Sequence, residues 1–291
     1  MPVPMKRRRL ALVVEGGGLR GAFSAGVLAT LDRLLPQRPD YIFATSAGAP
    51  SAAFMATGQI DVAIRLWENR THASHLVSPL HWVRGRPLMD VDKLVSRFRE
   101  PRALAVERID AAFTQVYLAV TNCRTARPDY VRLTSHNAFT LLTAAMALPI
   151  AYGRVIQCQG QYYVDGGITD SIPLEPALER DVDDIIVVLT QPPGYSKSRS
   201  KAAEWLLRWQ YSHYPNMLEA FMQRSECYNR CLERIEELEQ RGRISVLRPA
   251  APLPASRMTR DRERILRTIQ VGRDTAREWL RQSDFAPSPE F

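Results

Sequence analysis

The sequence predicts an α/β fold in which a mostly parallel central sheet is covered by helices on both faces. Three observations predict it. Short continuous apolar runs such as Leu10 to Val14 have the pattern of strands buried on both faces. Stretches with apolar residues at helical spacing lie between most of these runs. Turns made of glycine or other small residues lead from strand into helix twice in the first fifty residues.

The elements follow in order. Leu10 to Val14 is a strand that ends in Glu15, Gly16, Gly17 and Gly18. From Ala22 to Leu35, the residues Phe23, Val27, Leu28, Leu31, Leu34 and Leu35 recur at helical spacing, and Pro36 closes the helix. Tyr41 to Phe43 is a second short strand, which runs through Ala44, Thr45 and Ser46 into the small-residue helix Ala47 to Ala56. Further strands are expected at Gln115 to Val120, Tyr130 to Leu133, Tyr162 to Val164, Asp184 to Leu189 and Ile244 to Leu247. After Thr190, a loop of Pro192, Pro193, Gly194 and a Ser/Lys run precedes long helical patterns at Lys201 to Arg241 and Arg260 to Gln282. The expected organisation is therefore a core over residues 8–190 and a mainly helical extension over 191–291. The strand Ile244 to Leu247 should return to the sheet and make one structural domain of the two.

Composition narrows the function. The chain has 39 Lys and Arg against 31 Asp and Glu, a net charge of +8 that favours anionic surfaces. No basic stripe interleaved with aromatics and no nucleic-acid motif accompanies that charge, so nucleic acid is not an expected partner. Cys123, Cys158, Cys227 and Cys231 form no CxxC pair or zinc spacing, and a reducing cytoplasm suits them as plain thiols. The basic run Lys6 to Arg9 before Leu10 to Val14 imitates the start of a secretory signal, but Glu15 and three glycines stand where the apolar stretch should continue. No run reaches the roughly 18 apolar residues of a membrane span. Asp181, Asp183 and Asp184 lack calcium-loop spacing and are expected to flank their strand.

Three signals carry chemistry. The first is Gly16, Gly17, Gly18, Leu19, Arg20 and Gly21 between a strand and a helix. Such a loop serves a dinucleotide phosphate, an oxyanion or merely a tight turn. The acidic residue a dinucleotide site needs is represented only by Asp40, which precedes its strand. The second signal is Ala44, Thr45, Ser46, Ala47, Gly48, a near match to the GxSxG nucleophile elbow with Ala44 in place of the first glycine. A serine needs a base. Of the histidines His72, His75, His81, His136 and His213, chain order would choose His213, but it lies in an aromatic helical stretch where packing suits it better. The third signal is Val164, Asp165, Gly166, Gly167, which reads either as a strand-end carboxylate able to act as base or as an Asp-Gly hairpin turn.

In this order, the three signals resemble the patatin-like phospholipases. The likeness extends to Ala144 to Pro149, to Asp170 to Pro173, and to Tyr214, Pro215, Arg224, Tyr228 and Asn229 of a bacterial branch. The resemblance implies a three-layer patatin-like fold and a Ser-Asp dyad without histidine. By it, Ser46 is the nucleophile and Asp165 the base, and Gly16, Gly17 and Gly18, completed by Arg20 and Gly21, form the oxyanion loop. Ala44 and Gly48 support the elbow, and Gly166 and Gly167 support the base. It also implies lipid acyl esters as substrates and a mechanism that needs neither metal nor cofactor. A non-catalytic phosphate-binding protein and an acyltransferase using the same acyl-enzyme stay open at this point, as does the oligomeric state. The aromatic stripe Trp205, Leu206, Trp209, Tyr211, Tyr214, Met217, Leu218 and Phe221, beside Arg208, reads either as a face for anionic membrane or as a face buried on the core.

Overall fold

The computed structural model describes residues 7–68, 87–198, 214–283 and 285. Its centre is an eight-stranded sheet of β1 (Leu10–Val14), β2 (Tyr41–Thr45), β3 (Gln115–Asn122), β4 (Pro128–Arg132), β5 (Ile156–Cys158), β6 (Gln161–Asp165), β7 (Asp184–Val188) and β8 (Ser245–Leu247). The strands follow the order β5-β6-β3-β2-β1-β7-β8, with β4 also paired to β3. β3, β2, β1, β7 and β8 run parallel, whereas β4, β5 and β6 are antiparallel additions. β1 lies between β2 and β7, and all five of its residues are buried, which is why it reads as an unbroken apolar run. The antiparallel part was less legible. β4 is nowhere fully buried, and β5 is only three residues long.

Alternate residues of the central strands feed two cores. Leu10, Leu12, Val14, Ile42, Leu118 and Val188 face one layer, where α1 (Gly21–Leu34), α2 (Gly48–Ala56), α3 (Ile60–Glu68), α4 (Val91–Phe98) and α5 (Ala138–Ala145) pack. Ala11, Val13, Phe43, Ile185 and Val187 face the other layer, under α6 (Glu175–Leu178) and α7 (Pro215–Gln240). There Arg180 lies over the rings of Tyr41, Phe43 and Tyr117, with its guanidinium 4.8 to 5.9 Å from their centroids, a cation–π arrangement on the sheet surface. The last helix, α8 (Arg262–Gln282), returns to the first layer and packs on α1. Asp261 caps it by accepting from the Glu263 and Arg264 N–H groups. The C-terminal region thus supplies a strand to the sheet and one helix to each face.

Contact between α1 and α8 depends on glycine. A Cβ on Gly26 would fall 2.2 Å from the Ile269 carbonyl oxygen, and one on Gly272 would fall 2.2 Å from that of Phe23. The two backbones therefore touch, and neither obstruction is a side chain that could rotate away. Gly26→Ala should cost about 1 to 3 kcal/mol or more by forcing the helices apart. Equilibrium urea unfolding of the variant checks this; an unchanged midpoint would contradict it.

Candidate active site

β2 ends at Thr45, and the chain turns at Ser46 with φ +52° before α2 begins at Gly48. A non-glycine residue in this left-handed region costs roughly 1 to 2 kcal/mol, so the turn is held by its surroundings. Gly16 and Gly48 show how. A Cβ on Gly16 would lie 2.8 Å from the Ser46 Cβ, and one on Gly48 would lie 2.8 Å from Val14 Cγ1 and 3.2 Å from the Val14 carbonyl. A Cβ on Gly21 would meet that of Ala47 at 2.8 Å. The elbow is thus wedged against the end of β1 and the start of α1. Ala44, the departure from GxSxG, is fully buried, and the turn forms with its methyl group in place. Gly16→Ala should leave the chain folded but lower the reactivity of the Ser46 hydroxyl toward an activated acyl or phosphonyl reagent by about tenfold or more through displacement of Ser46. A labelling time course beside a far-UV spectrum reads both, and full reactivity would contradict the wedge.

Sheet register brings the third signal to the second. β4 occupies one edge of β3 along Tyr117 to Thr121. β6 therefore takes the edge already used by β2, just beyond the point where β2 ends. Thr45 is paired with Ala119, and Asp165 with the next residue, Val120. The two strands run toward each other along that edge, and 119 positions of sequence separation close to contact. Ser46 Oγ donates to Asp165 Oδ2 at 2.6 Å. Asp165 does not form a hairpin turn; it leads into a 3-10 turn over Gly166–Ile168. The Gly167 N–H donates to Asp165 Oδ1 at 2.7 Å, and the Asp165 N–H donates to the Ala147 carbonyl. Glycine is required at 166, where a Cβ would lie 2.2 Å from the Ala119 carbonyl oxygen.

Asp165 is fully buried, and burial pushes its carboxyl up to about 6. Hydrogen bonds from Ser46 and Gly167 and the charges of Arg224 and Arg257 act the other way and limit the rise. The carboxylate is thus destabilised enough to be a better base than a solvated aspartate, yet is ionised at neutral pH. His136, the one histidine among the described residues, is exposed ahead of α5 and makes no hydrogen bond to Ser46 or Asp165. The other four histidines lie outside the described residues.

The glycine loop differs from the expectation in detail. The Gly16 N–H donates to the Ser171 carbonyl and is not free for a ligand. Among the described residues, the Gly17, Gly18 and Ala47 N–H groups have no acceptor. Gly18 has φ +58°, and a Cβ there would strike the Arg257 carbonyl oxygen at 2.7 Å. Arg20 is buried, and its Nε donates to Thr190 Oγ1 at 3.2 Å, so it supports the loop from behind. Asp40, the dinucleotide candidate, accepts instead from Arg7 and the Leu10 N–H. Asp181 and Asp184 pair with Arg9 and Arg8 at the start of β1.

Ser46 opens onto an apolar pocket of about 870 Å³, mouth included, lined among others by Leu19, Phe54, Leu66, Met89, Leu94 and Phe98. Behind the glycine loop lies a polar network that the motifs did not reveal. Glu15 is buried and accepts from the Thr190 N–H and hydroxyl and from the Tyr228 hydroxyl. Arg224 Nε donates to the Gly167 carbonyl at 2.5 Å. Arg224 and Tyr228 are one turn apart on α7, a spacing that could have marked them as a pair facing inward. Nothing in the sequence pointed to Glu15 as their partner.

An α/β sheet with a serine on a strained strand-to-helix turn and a carboxylate delivered to it by register is the class that fold and site define. Residues 12–178, more than half of the chain, match the patatin-like phospholipase family, and the chain belongs to it. Membership places it among lipid hydrolases. Residues 214–284 match a domain of unknown function (DUF6363). An uncharacterised protein, YjjU of Escherichia coli (strain K12), is 30% identical over 256 residues, which span 86% of this chain and 71% of that protein. Among solved structures, VipD from Legionella pneumophila is similar at TM-score 0.48 and 12% identity, over 95% of this chain and 67% of that one. The type III effector ExoU is similar at TM-score 0.39 and 14% identity over 94% of this chain, which spans about half of that protein's length, 53%.

No helix among the described residues is long and apolar enough to cross a membrane. Of the aromatic stripe, Trp205 to Tyr211 lie outside the described residues. Met217 is buried at the α7 end against Cys123, Val164 and Ile168, with Tyr214 and Phe221 packed beside it.

Proposed function

We propose that the chain is a serine-dependent lipid acyl hydrolase of the phospholipase A or lysophospholipase type. Ser46 Oγ attacks the ester carbonyl carbon as its proton passes to Asp165. The alcohol then leaves with that proton, and water, activated by the same carboxylate, hydrolyses the acyl-enzyme. The Gly17 and Gly18 N–H groups, with that of Ala47, hold the oxyanion, while Gly16 supplies close approach and Arg20 supports the loop. The acyl chain lies in the apolar pocket, whose lining of Leu, Phe and Met side chains suits it. On this reading the helical C-terminal region and the core work as one catalytic unit, because α7 places Arg224 against the segment that carries Asp165.

The observation that carries the proposal is the 2.6 Å hydrogen bond between a strained serine and a buried carboxylate at the mouth of an apolar pocket. A series of p-nitrophenyl esters of increasing chain length tests it. kcat/KM should rise from acetate by about tenfold or more per added pair of methylenes until the pocket is filled, since each buried methylene is worth about 0.8 kcal/mol. No cleavage of any ester in the series would remove the hydrolase reading.

A further inference from the structure

One face of α7 touches both halves of the site. Arg224 Nε donates to the Gly167 carbonyl at 2.5 Å, beside the Ser171 hydroxyl, which donates to the same oxygen at 3.1 Å. One turn further on, the Tyr228 hydroxyl donates to Glu15, the residue that leads into the glycine loop. Asn229 beside it accepts from the Lys197 N–H and donates to the Lys197 carbonyl, and Lys197 Nζ donates to Ser171 Oγ at 3.3 Å. The Ser171 carbonyl in turn accepts from the Gly16 N–H. The helix thus braces the segment that carries Asp165 together with the loop against which Ser46 is wedged.

Of these contacts, that of Arg224 bears most directly on the dyad. A carboxylate rotates easily about its last bond unless both oxygens are held. Asp165 Oδ1 accepts from the Gly167 N–H at 2.7 Å, and this leaves Oδ2 facing Ser46 Oγ at 2.6 Å. The grip is as firm as the turn that presents the Gly167 N–H. Thr121 Oγ1 ties that turn to the sheet through the Asp165 carbonyl at 2.9 Å, and Arg224 ties it to α7 through the Gly167 carbonyl. Glycine at 167 keeps the space between guanidinium and carboxylate clear: a Cβ there would lie 2.9 Å from Asp165 Oδ1 and 3.7 Å from Arg224 Nη2. Charge follows the same arrangement. Arg230, Arg234 and Arg241 pair with glutamates of their own helix, whereas Arg224, among the described residues, makes no ion pair. Two cations favour the ionised form of Asp165, Arg224 before Arg257, and its bonded partners Ser46 and Gly167 are neutral. Arg224, lowered to about 10 by burial and by Arg257, with Tyr195 and Tyr228 as its other titratable neighbours, is charged throughout the neutral range.

Resting on the hydrolase reading, we propose that Arg224 is a positioning residue for the catalytic base: it fixes the Gly167 turn so that Asp165 presents Oδ2 to Ser46, and it faces that carboxylate with a positive charge. Residues 214–284, which match a domain of unknown function, then have a task, to brace the dyad from outside the family core at 12–178.

The test is the pH profile of kcat/KM for a short-chain p-nitrophenyl ester in the parent, Arg224→Gln and Arg224→Lys, each checked for folding by its far-UV spectrum. Arg224→Gln should lower kcat about tenfold or more and leave KM within about twofold, since Arg224 lines no part of the apolar pocket. Its inflection should lie about half a pH unit or more above that of the parent, because a carboxylate that loses a facing cation takes its proton more readily. Arg224→Lys keeps the charge and loses the planar fork, so it should restore the inflection but only part of kcat. A folded Arg224→Gln with the parent's kcat and inflection overturns the proposal. So does a kcat loss in both variants with no shift in Arg224→Gln, or a shift that Arg224→Lys does not reverse, either of which makes Arg224 a structural residue. Lys197, lowered to about 6 by burial first and by Arg224 next, titrates in the same range. The shift must therefore persist in a Lys197→Met background, and its loss there assigns it to the lysine and overturns the proposal. Where Arg224→Gln does not fold, Arg224→Lys decides: kcat about threefold or more below the parent at an unmoved inflection supports the proposal, and the parent's kcat overturns it. If the parent cleaves no ester, the hydrolase reading falls separately, and NMR titration of the Asp165 carboxyl decides: a midpoint that Arg224→Gln raises supports the coupling of the two groups, and an unmoved midpoint removes it.

Discussion

Ser46→Ala should abolish ester hydrolysis, lowering kcat by on the order of 10⁵-fold or more, because the whole reaction runs through one covalent intermediate. Removing the hydroxyl deletes the nucleophile and leaves the loop N–H groups and the pocket unchanged. Short-chain ester should therefore still bind, and residual turnover should approach that of the loop acting on water. The variant should fold, at a cost of about 1 to 3 kcal/mol for the buried Asp165 oxygen that loses its donor. Stopped-flow or steady-state release of p-nitrophenol from purified variant and parent measures the loss. Residual activity within about tenfold of the parent would assign the nucleophile to another residue.

Asp165→Asn should have the next largest effect, about 10²- to 10⁴-fold in kcat, the usual contribution of a general base. Asparagine fills the same space and can still meet Ser46 and the Gly167 N–H, so the loss would be of proton acceptance and not of shape. The pH profile gives the same information without a mutation. Burial raises the Asp165 carboxyl to about 6, and the base must be ionised in the free enzyme, so kcat/KM of the parent should rise with pH through about 6 and level off above it. Stability should move the opposite way. The carboxyl binds its proton more tightly folded than unfolded, so its contribution is fully favourable below the unfolded value near 4 and is lost as pH rises through about 6. Above that range the buried charge costs on the order of 3 kcal/mol. Asp165→Asn should accordingly melt several degrees higher than the parent at pH 8, and the gain should vanish at or below pH 4. Thermal unfolding at the two pH values checks this. An inactive variant that is also less stable at pH 8 would make Asp165 a structural residue.

The parts of the fold that were legible in the sequence are those with one dominant local cause. β1 announces itself because burial on both faces leaves no polar position, and the elbow does so because the turn at Ser46 excludes side chains at Gly16 and Gly48. The helix at Gly21–Leu34 showed its spacing, but the need for Gly26 came from a helix 240 residues later in the chain, which no local pattern contains. The antiparallel strands were harder for the same reason: β4 and β5 are short and partly exposed, and their direction is set by what they pair with. At the candidate site, Ser46 and Asp165 were legible as motifs. Their 2.6 Å contact was not, since it depends on β6 joining β3 where β2 stops. The cations were least legible of all. Lys197 sits in a loop and Arg224 on a helix, and they are placed by Asn229 and by the Gly167 carbonyl, far from either in sequence or outside any motif.

The central claim is that Ser46 is the acylated residue. A fluorophosphonate reacts only with an activated serine, so the intact chain should be labelled once, and tandem mass spectrometry of the digest should place the adduct on Ser46. An adduct on any other residue, or none in a preparation that hydrolyses esters, would contradict the account.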